Sequence, residues 1–227
     1  MRLRMFAALI AGASLLPFTV SAASDAPKRL QSAAQAFREV MGIPDKSIPQ
    51  ELLNKAECIV IVPDLKKGAF IVGGKYGRGF LSCRKKDGAG WSAPGAIRIE
   101  GGSVGFQIGG SEMDVFMLVM NEKGVDRLLS TQFTLGGDAT VAAGPVGRVA
   151  QAETDARLTA EILTWSRARG LFAGIALNGA TLREDEDWNV ELYGKPLKNR
   201  EIVSGSVAAP KAAAALLSEL DRYSSRK

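Results

Sequence analysis

The chain has 227 residues, with 29 Lys+Arg against 24 Asp+Glu, two cysteines and no histidine. Without histidine it cannot assemble a Ser-His-Asp triad, a Cys-His pair or a histidine-bearing zinc site, which removes the commonest hydrolase and metalloenzyme designs. The mild positive balance falls short of a nucleic-acid-binding charge, while a 46% apolar share is enough for one substantial core in a single domain.

The N-terminal MRLR followed by MFAALIAGASLLPFTV has the basic and apolar regions of a secretory signal. The apolar run is shorter than the roughly 20 residues a spanning helix needs, and Pro17 interrupts it, which favours cleavage over anchoring. Residues 1–22 are therefore expected to be a signal peptide, removed after Ala22 or Ala23, and 23–227 a single domain in the periplasm or outside the cell. No cysteine lies near the cleavage position to carry a lipid. Loss of Arg2 and Arg4 leaves 27 Lys+Arg against 24 acids, a balance of +3.

From Pro27 to Met41 the residues Leu30, Ala33, Ala34, Phe37 and Met41 recur at spacings of three and four, the pattern of an amphipathic helix closed by Gly42. A short helix is expected after Pro49, then a strand in CIVIVP ending at Pro63, with Asp64 to Gly68 as a turn. The stretch IVGGKYGRGF places Phe70, Val72, Gly74, Tyr76, Arg78 and Phe80 on one face, and Ile71, Gly73, Lys75, Gly77 and Gly79 on the other. That alternation is a strand with one nearly bare face. A phosphate loop would instead show a compact G-x-G-x-x-G or a Gly-Lys-Ser/Thr register.

The same device recurs in GGSVGFQIGG and RGLFAGIALNGATL, each read as a strand, and FTLGGDATVAAGPVGR as a further one ended by Gly144-Pro145. Glycine within strands costs backbone entropy, so its repetition implies bulges, sharp bends or close approach of another backbone. DVFMLVMN reads as a strand buried on both faces, and residues 122–130 as a short helix. The stretch 152–165 is ambiguous and is read as strand from Glu161; residues 187–193 and 210–223 are expected helices. The fold class is α+β: a strongly curved, glycine-rich antiparallel sheet, barrel or sandwich-like, with flanking helices.

Taken in order, GGKYGRGFLSCR, GWSAPGAIRIEGGSVGFQIGG, DVFMLVMN, LGGDATVAAGPVGR, SRARGLFAGIALNGATL and NVELYG resemble the successive blocks of the SYLF domain, or yeast actin-binding module, over about residues 30 to 220. Eukaryotic members bind phosphoinositides and other anionic lipids, and some bind actin; bacterial members are commonly exported single-domain proteins. The resemblance implies a lipid-binding module and not an enzyme. An exported chain meets neither actin nor, normally, phosphoinositides, so what it implies here is affinity for anionic phospholipid or a membrane surface. An envelope protein partner bound without lipid is the alternative.

Cations gather at expected turns: Lys66 and Lys67; Arg84, Lys85 and Lys86; Arg167 and Arg169; with Lys75 and Arg78 on the glycine strand. On one end of the sheet they would attract anionic lipid; as separate turns they are ordinary solvated charges. The Leu30, Phe37 and Met41 face of the first helix either inserts into a bilayer or packs on the sheet, and its narrow, alanine-rich stripe favours packing. Cys58 and Cys83 are close enough in sequence to form a disulfide in an oxidising compartment, with two separate buried thiols as the alternative. The acids Glu184 to Asp187 lack calcium-loop spacing and read as a solvated turn, and Asp114 as an isolated acid. No cofactor, metal site or nucleic-acid partner is indicated.

Overall fold

The computed structural model describes residues 25–70, 72–86, 90–104, 109–147 and 159–224. The signal segment 1–22 lies outside these residues, as do Ile71, Gly105 to Ile108 and the first part of the 152–165 stretch. The described residues form nine strands: β1 Cys58–Phe70, β2 Val72–Cys83, β3 Gly95–Val104, β4 Gly109–Val119, β5 Gln132–Thr134, β6 Val141–Ala143, β7 Ile162–Ala168, β8 Leu171–Gly174 and β9 Thr181–Glu184. The helices are α1 Asp25–Met41, α2 Gln50–Lys55, α3 Glu122–Leu128, α4 Glu186–Tyr193, α5 Asn199–Val203 and α6 Ala214–Tyr223.

All strands belong to one sheet in the order β5-β9-β3-β2-β1-β4-β7-β6, with β8 also on β7. Every pair is antiparallel except β6 with β7, which is parallel. The order explains the curvature. β5 and β6 stand at opposite ends of it, yet only residues 135–140 join them. That connection reaches about 25 Å, whereas eight strands abreast in a flat sheet would span about 34 Å. The sheet therefore curls into a half-barrel. Residues 175–180 cross the same gap from β8 to β9 and help to hold it. The Leu135 N–H donates to Ala180 O at 2.8 Å, Gly179 N–H to Leu135 O at 2.8 Å, and Ile175 N–H to Thr164 O at 3.1 Å.

Alternation along β1 then builds two cores. Ile59 and Ile61 face outward with Phe80, Phe116 and Trp165 into a layer under α1, α2, α4 and α6, while Val60, Val62 and Leu65 face inward with Ile97, Ile99, Val115 and Leu182. Cys58 and Cys83 lie in the inner core as directly paired residues of β1 and β2, and they are bridged, with sulfurs 2.01 Å apart and Cα atoms 3.9 Å apart.

Four sequence expectations are corrected. The turn read at Asp64 to Gly68 is a bulge inside β1: the register shifts between Val62 and Leu65, and Asp64 takes φ 50°. Pro63 cannot donate to a ladder, and the bulge absorbs it without ending the strand. The strand read in GGSVGFQIGG belongs to two: its first glycines end β3 and its last begin β4, which pair with different neighbours, β2 and β1. The stretch RGLFAGIALNGATL likewise supplies β8 and β9, separated by a turn at Asn178 and Gly179. Finally, the segment 133–148 divides into β5 and β6 at a turn where Gly136 holds φ 78° and Asp138 accepts the Thr134 N–H at 2.7 Å.

The glycines do what their repetition implied. A Cβ on Gly79 would lie 2.2 Å from Ile61 O and 2.7 Å from Val62 Cα, so β2 can pass the β1 bulge only without a side chain there.

Candidate functional site

The nine cations singled out in the sequence divide into two groups at opposite ends of β2, with Arg78 between them. At the Cys83 end, Arg84 is buried and donates to Leu53 O at 3.0 Å, to Ala56 O and to Ser224 O and Oγ. Leu53 and Ala56 lie in and just past the last turn of α2, and Ser224 follows α6, so one guanidinium satisfies the carbonyl ends of two helices. It also stacks 3.9 Å over the Trp91 ring. Arg84 is therefore a structural residue, which corrects the surface role read for it beside Lys85 and Lys86, both exposed.

Arg78 is engaged as well. It holds Asp185 through Nε at 2.5 Å and Nη2 at 2.7 Å and lies 4.2 Å over the Trp188 ring, which stacks on Phe80. Asp185 is fully buried and also accepts the Trp188 N–H at the start of α4. The acid run 184–187 is thus not a solvated turn, because one of its members anchors β2 to α4. Arg167 bonds Asp114 at 2.6 Å and also pairs with Glu39, whose carboxyl that hydrogen bond holds below the usual carboxylate range. Asp114, read as isolated, accepts from Arg167 and from the Asp64 N–H.

The end of β2 remote from the disulfide is different. In the lateral register, Ser111 of β4, Lys67 of β1, Lys75 of β2 and Gly101 of β3 stand abreast. Lys67 and Lys75 share the face of Leu65 and Gly77, the inner face, and so sit at one mouth of the half-barrel. Like charges directly opposite one another are destabilising in a sheet. Neither lysine forms an ion pair among the described residues. Partial burial, and then the neighbouring Lys67 charge, push the Lys75 ammonium below its usual pKa.

The next row outward is Gly110, Gly68, Gly74 and Gly102, four glycines abreast on β4, β1, β2 and β3. All four are exposed, and a Cβ on Gly68 or Gly102 would meet nothing within 4 Å. Beside them on the outer face stand Lys66, which pairs with Glu112 at 3.8 Å, and Tyr76, 49% exposed. Arg169 is exposed at the β7–β8 turn, and with Arg167 it lines a cleft of about 340 Å³ that also carries Glu39, Asp64, Glu112 and Asp114. Those four acids outnumber its arginines. The mouth lysines are thus cations without an acid partner among the described residues, as are the exposed Lys85 and Lys86 at the other end, and the basic turns do not converge as a group.

Helix α1 does not offer its apolar face. Leu30 and Phe37 are fully buried, Met41 packs against the same core, and Phe37 meets Tyr223 edge-on at 5.9 Å. Of the two roles weighed for this stripe, packing, the one its narrow, alanine-rich face favours, is the one observed: the sheet and α6 cover it. Among the described residues no cluster of three or more acids or cysteines could hold a metal ion, and no helix is long and apolar enough to cross a membrane.

Comparison with known proteins gives concordant matches. The family model described as "Ysc84: Las17-binding protein actin regulator" matches residues 100–223, more than half of the chain. "SH3 domain-containing YSC84-like protein 1" of Bos taurus is 34% identical over 209 residues, covering 89% of this chain and 61% of that protein. "SH3 domain-containing protein PJ696.02" of Schizosaccharomyces pombe is 38% identical over 180 residues, covering 78% of this chain and 41% of its own length. "Protein YSC84" of Saccharomyces cerevisiae is 36% identical over 181 residues, covering 78% of this chain and 38% of that protein. The chain thus spans between about two fifths and three fifths of these relatives.

Proposed function

The chain belongs to the Ysc84 (SYLF) family, and from that premise we propose that it is a non-catalytic binding module that docks on anionic phospholipid surfaces. The family's description speaks of a Las17-binding actin regulator, and neither it nor the relatives' names speak of a catalysed reaction. The observation that carries the reading is the mouth of the half-barrel: Lys67 and Lys75 opposed across β1 and β2 without an acid between them, beside four exposed glycines abreast. An anionic headgroup there relieves the repulsion of the two ammonium groups. The glycine row lets a flat surface approach the strands without displacing side chains. Each cation near an anionic membrane contributes about 1 kcal/mol.

Docking is by this end of the sheet rather than by insertion of α1, since Leu30 and Phe37 serve the core. Export by the segment 1–22 would place the module in a periplasm or outside the cell, where phosphatidylglycerol, cardiolipin or phosphatidic acid supply the charge. The test is co-sedimentation with neutral and then anionic vesicles across a salt series. Binding that needs anionic lipid and weakens with salt supports the reading.

A second reading is a protein partner in the envelope. It is favoured by the family description, which names a Las17-binding actin regulator. A partner recovered equally with and without lipid, from a protein that binds no vesicle, would select it.

A further inference from the structure

A single aliphatic side chain stands at the same mouth as the two lysines, and its role rests on the membrane reading. Leu171 is 73% exposed, against 49% for Tyr76 and 42% for Val190, the other exposed large hydrophobic residues among those described. Scattered exposed leucines are ordinary. Leu171 differs in how firmly it is held and in what stands beside it.

β7 and β8 meet in a two-residue turn, where Arg169 takes φ 49° and Gly170 φ 78°, and Ala168 pairs with Leu171 directly across it. Positive φ at both central positions is the tight hairpin turn that matches strand twist, so Leu171 sits on the ladder rather than on a loose loop. Phe172 belongs to the outer core and Ile175 packs against the inner one, so alternation puts Leu171 on the inner face. β7 pairs with β4 as far as Arg167 with Asp114, and one step further along both strands brings Ala168 beside Met113, itself the partner of Leu65. Leu65, Met113, Ala168 and Leu171 are therefore abreast on β1, β4, β7 and β8. That row is two residues, about 7 Å, behind Lys67 on the same face. The mouth thus carries cations on β1 and β2 and an exposed leucine on β8.

The neighbouring acids are already met. Asp64 pairs with Arg29, Glu112 with Lys66, and Glu39 and Asp114 with Arg167. Arg169, in the turn just before Leu171, is exposed and forms no ion pair among the described residues. We propose that Leu171 is the apolar anchor of the docking end, seated below the headgroups of an anionic phospholipid bilayer while Arg169, Lys67 and Lys75 stay at the level of the phosphates. Cation contacts weaken as salt screens them, whereas burial of an aliphatic side chain does not depend on screening. Two weak signals of different kinds give a firmer attachment than either alone.

Leu171→Ala is expected to weaken sedimentation with vesicles of equal parts phosphatidylglycerol and phosphatidylcholine about tenfold, with the same dependence on salt as the parent because no charge changes. The fold tolerates the change, since the side chain is largely in solvent. Depth is read from an NBD fluorophore on Leu171→Cys; Cys58 and Cys83 are bridged and take no label. Its emission is expected to shift to the blue on the vesicles and to be quenched by nitroxide-labelled acyl chains. The same label on Val190→Cys, in α4 against the outer layer, is expected to stay as in water.

A Leu171→Ala protein that binds like the parent, or a label at position 171 that stays water-exposed on sedimented protein, overturns the anchor and leaves the lysine mouth in place. So does an equal shift at positions 171 and 190, which would mean that the molecule has no fixed orientation on the bilayer. A parent that binds no vesicle removes the membrane reading and the anchor with it.

Discussion

The two ends of β2 carry similar sequence, small residues and cations, and reach opposite physical outcomes. At the Cys83 end the neighbouring chain supplies acceptors: the carbonyls that finish α2 and α6 converge on Arg84, and the disulfide closes the strand pair beside it. At the glycine end Lys67 and Lys75 face each other across the ladder, with Ser111 and Gly101 beside them in the row. The difference teaches that a cation's role here is set by whether the fold brings it an acceptor. The cations left without one are those poised for an outside anion.

The sharpest way to break the comparison is at the structural end. Arg84→Ala is expected to lower stability by about 3–5 kcal/mol, because it strands buried helix-end carbonyls and unpacks the Trp91 face. A urea midpoint shifted by less than the value for an ordinary surface change would mean that Arg84 does not hold the helix ends. Reducing the Cys58–Cys83 bridge, which closes a separation of 25 residues, is expected to cost about 3 kcal/mol. Melts with and without reductant measure it, and coincident curves would show that the ladder alone holds this end.

At the other end the expected effects change kind. The double variant Lys67→Gln, Lys75→Gln is expected to keep the fold and to weaken anionic vesicle binding by about 2 kcal/mol, roughly 30-fold, at about 1 kcal/mol per cation. The smallest effect is one of sign. The Lys75 pKa is lowered by burial and by Lys67, so the unfolded chain holds that proton more tightly than the folded one. The charged form therefore costs stability below the folded pKa, and the cost fades as pH rises toward the ordinary lysine value of 10.5. Lys75→Gln should then melt slightly higher than the parent near pH 7, with the gap closing at alkaline pH. A variant less stable than its parent at pH 7 would show that Lys75 has an intramolecular partner.

Much of this architecture was legible in the chain. Alternation in IVGGKYGRGF identified β2 and its bare face, and the spacing of Leu30, Phe37 and Met41 identified α1. The resemblance carried by the ordered blocks agrees with the family the chain belongs to. What was not legible is what depends on distant partners. Pro63 and Asp64 read locally as a turn because a bulge differs from a turn only in what β4 does beside it. Asp185 read as solvated because its partner, Arg78, lies 107 residues away. Arg84 and Lys85 are adjacent, and no local signal tells the one that caps two helices from the one that faces solvent. Trp91 carried no signal either, since an unpartnered indole N–H is a property of packing alone.

The most direct test of the central claim compares three proteins on vesicles rich in phosphatidylglycerol at low salt: the parent, Lys67→Glu with Lys75→Glu, and Lys85→Glu with Lys86→Glu. The two variants change net charge equally, so a nonspecific attraction weakens them alike. The account predicts that the first variant loses sedimentation with the vesicles while the second retains most of it. Equal loss in both, or binding undiminished in the first, would contradict the assignment of the glycine-lined mouth as the membrane-facing end.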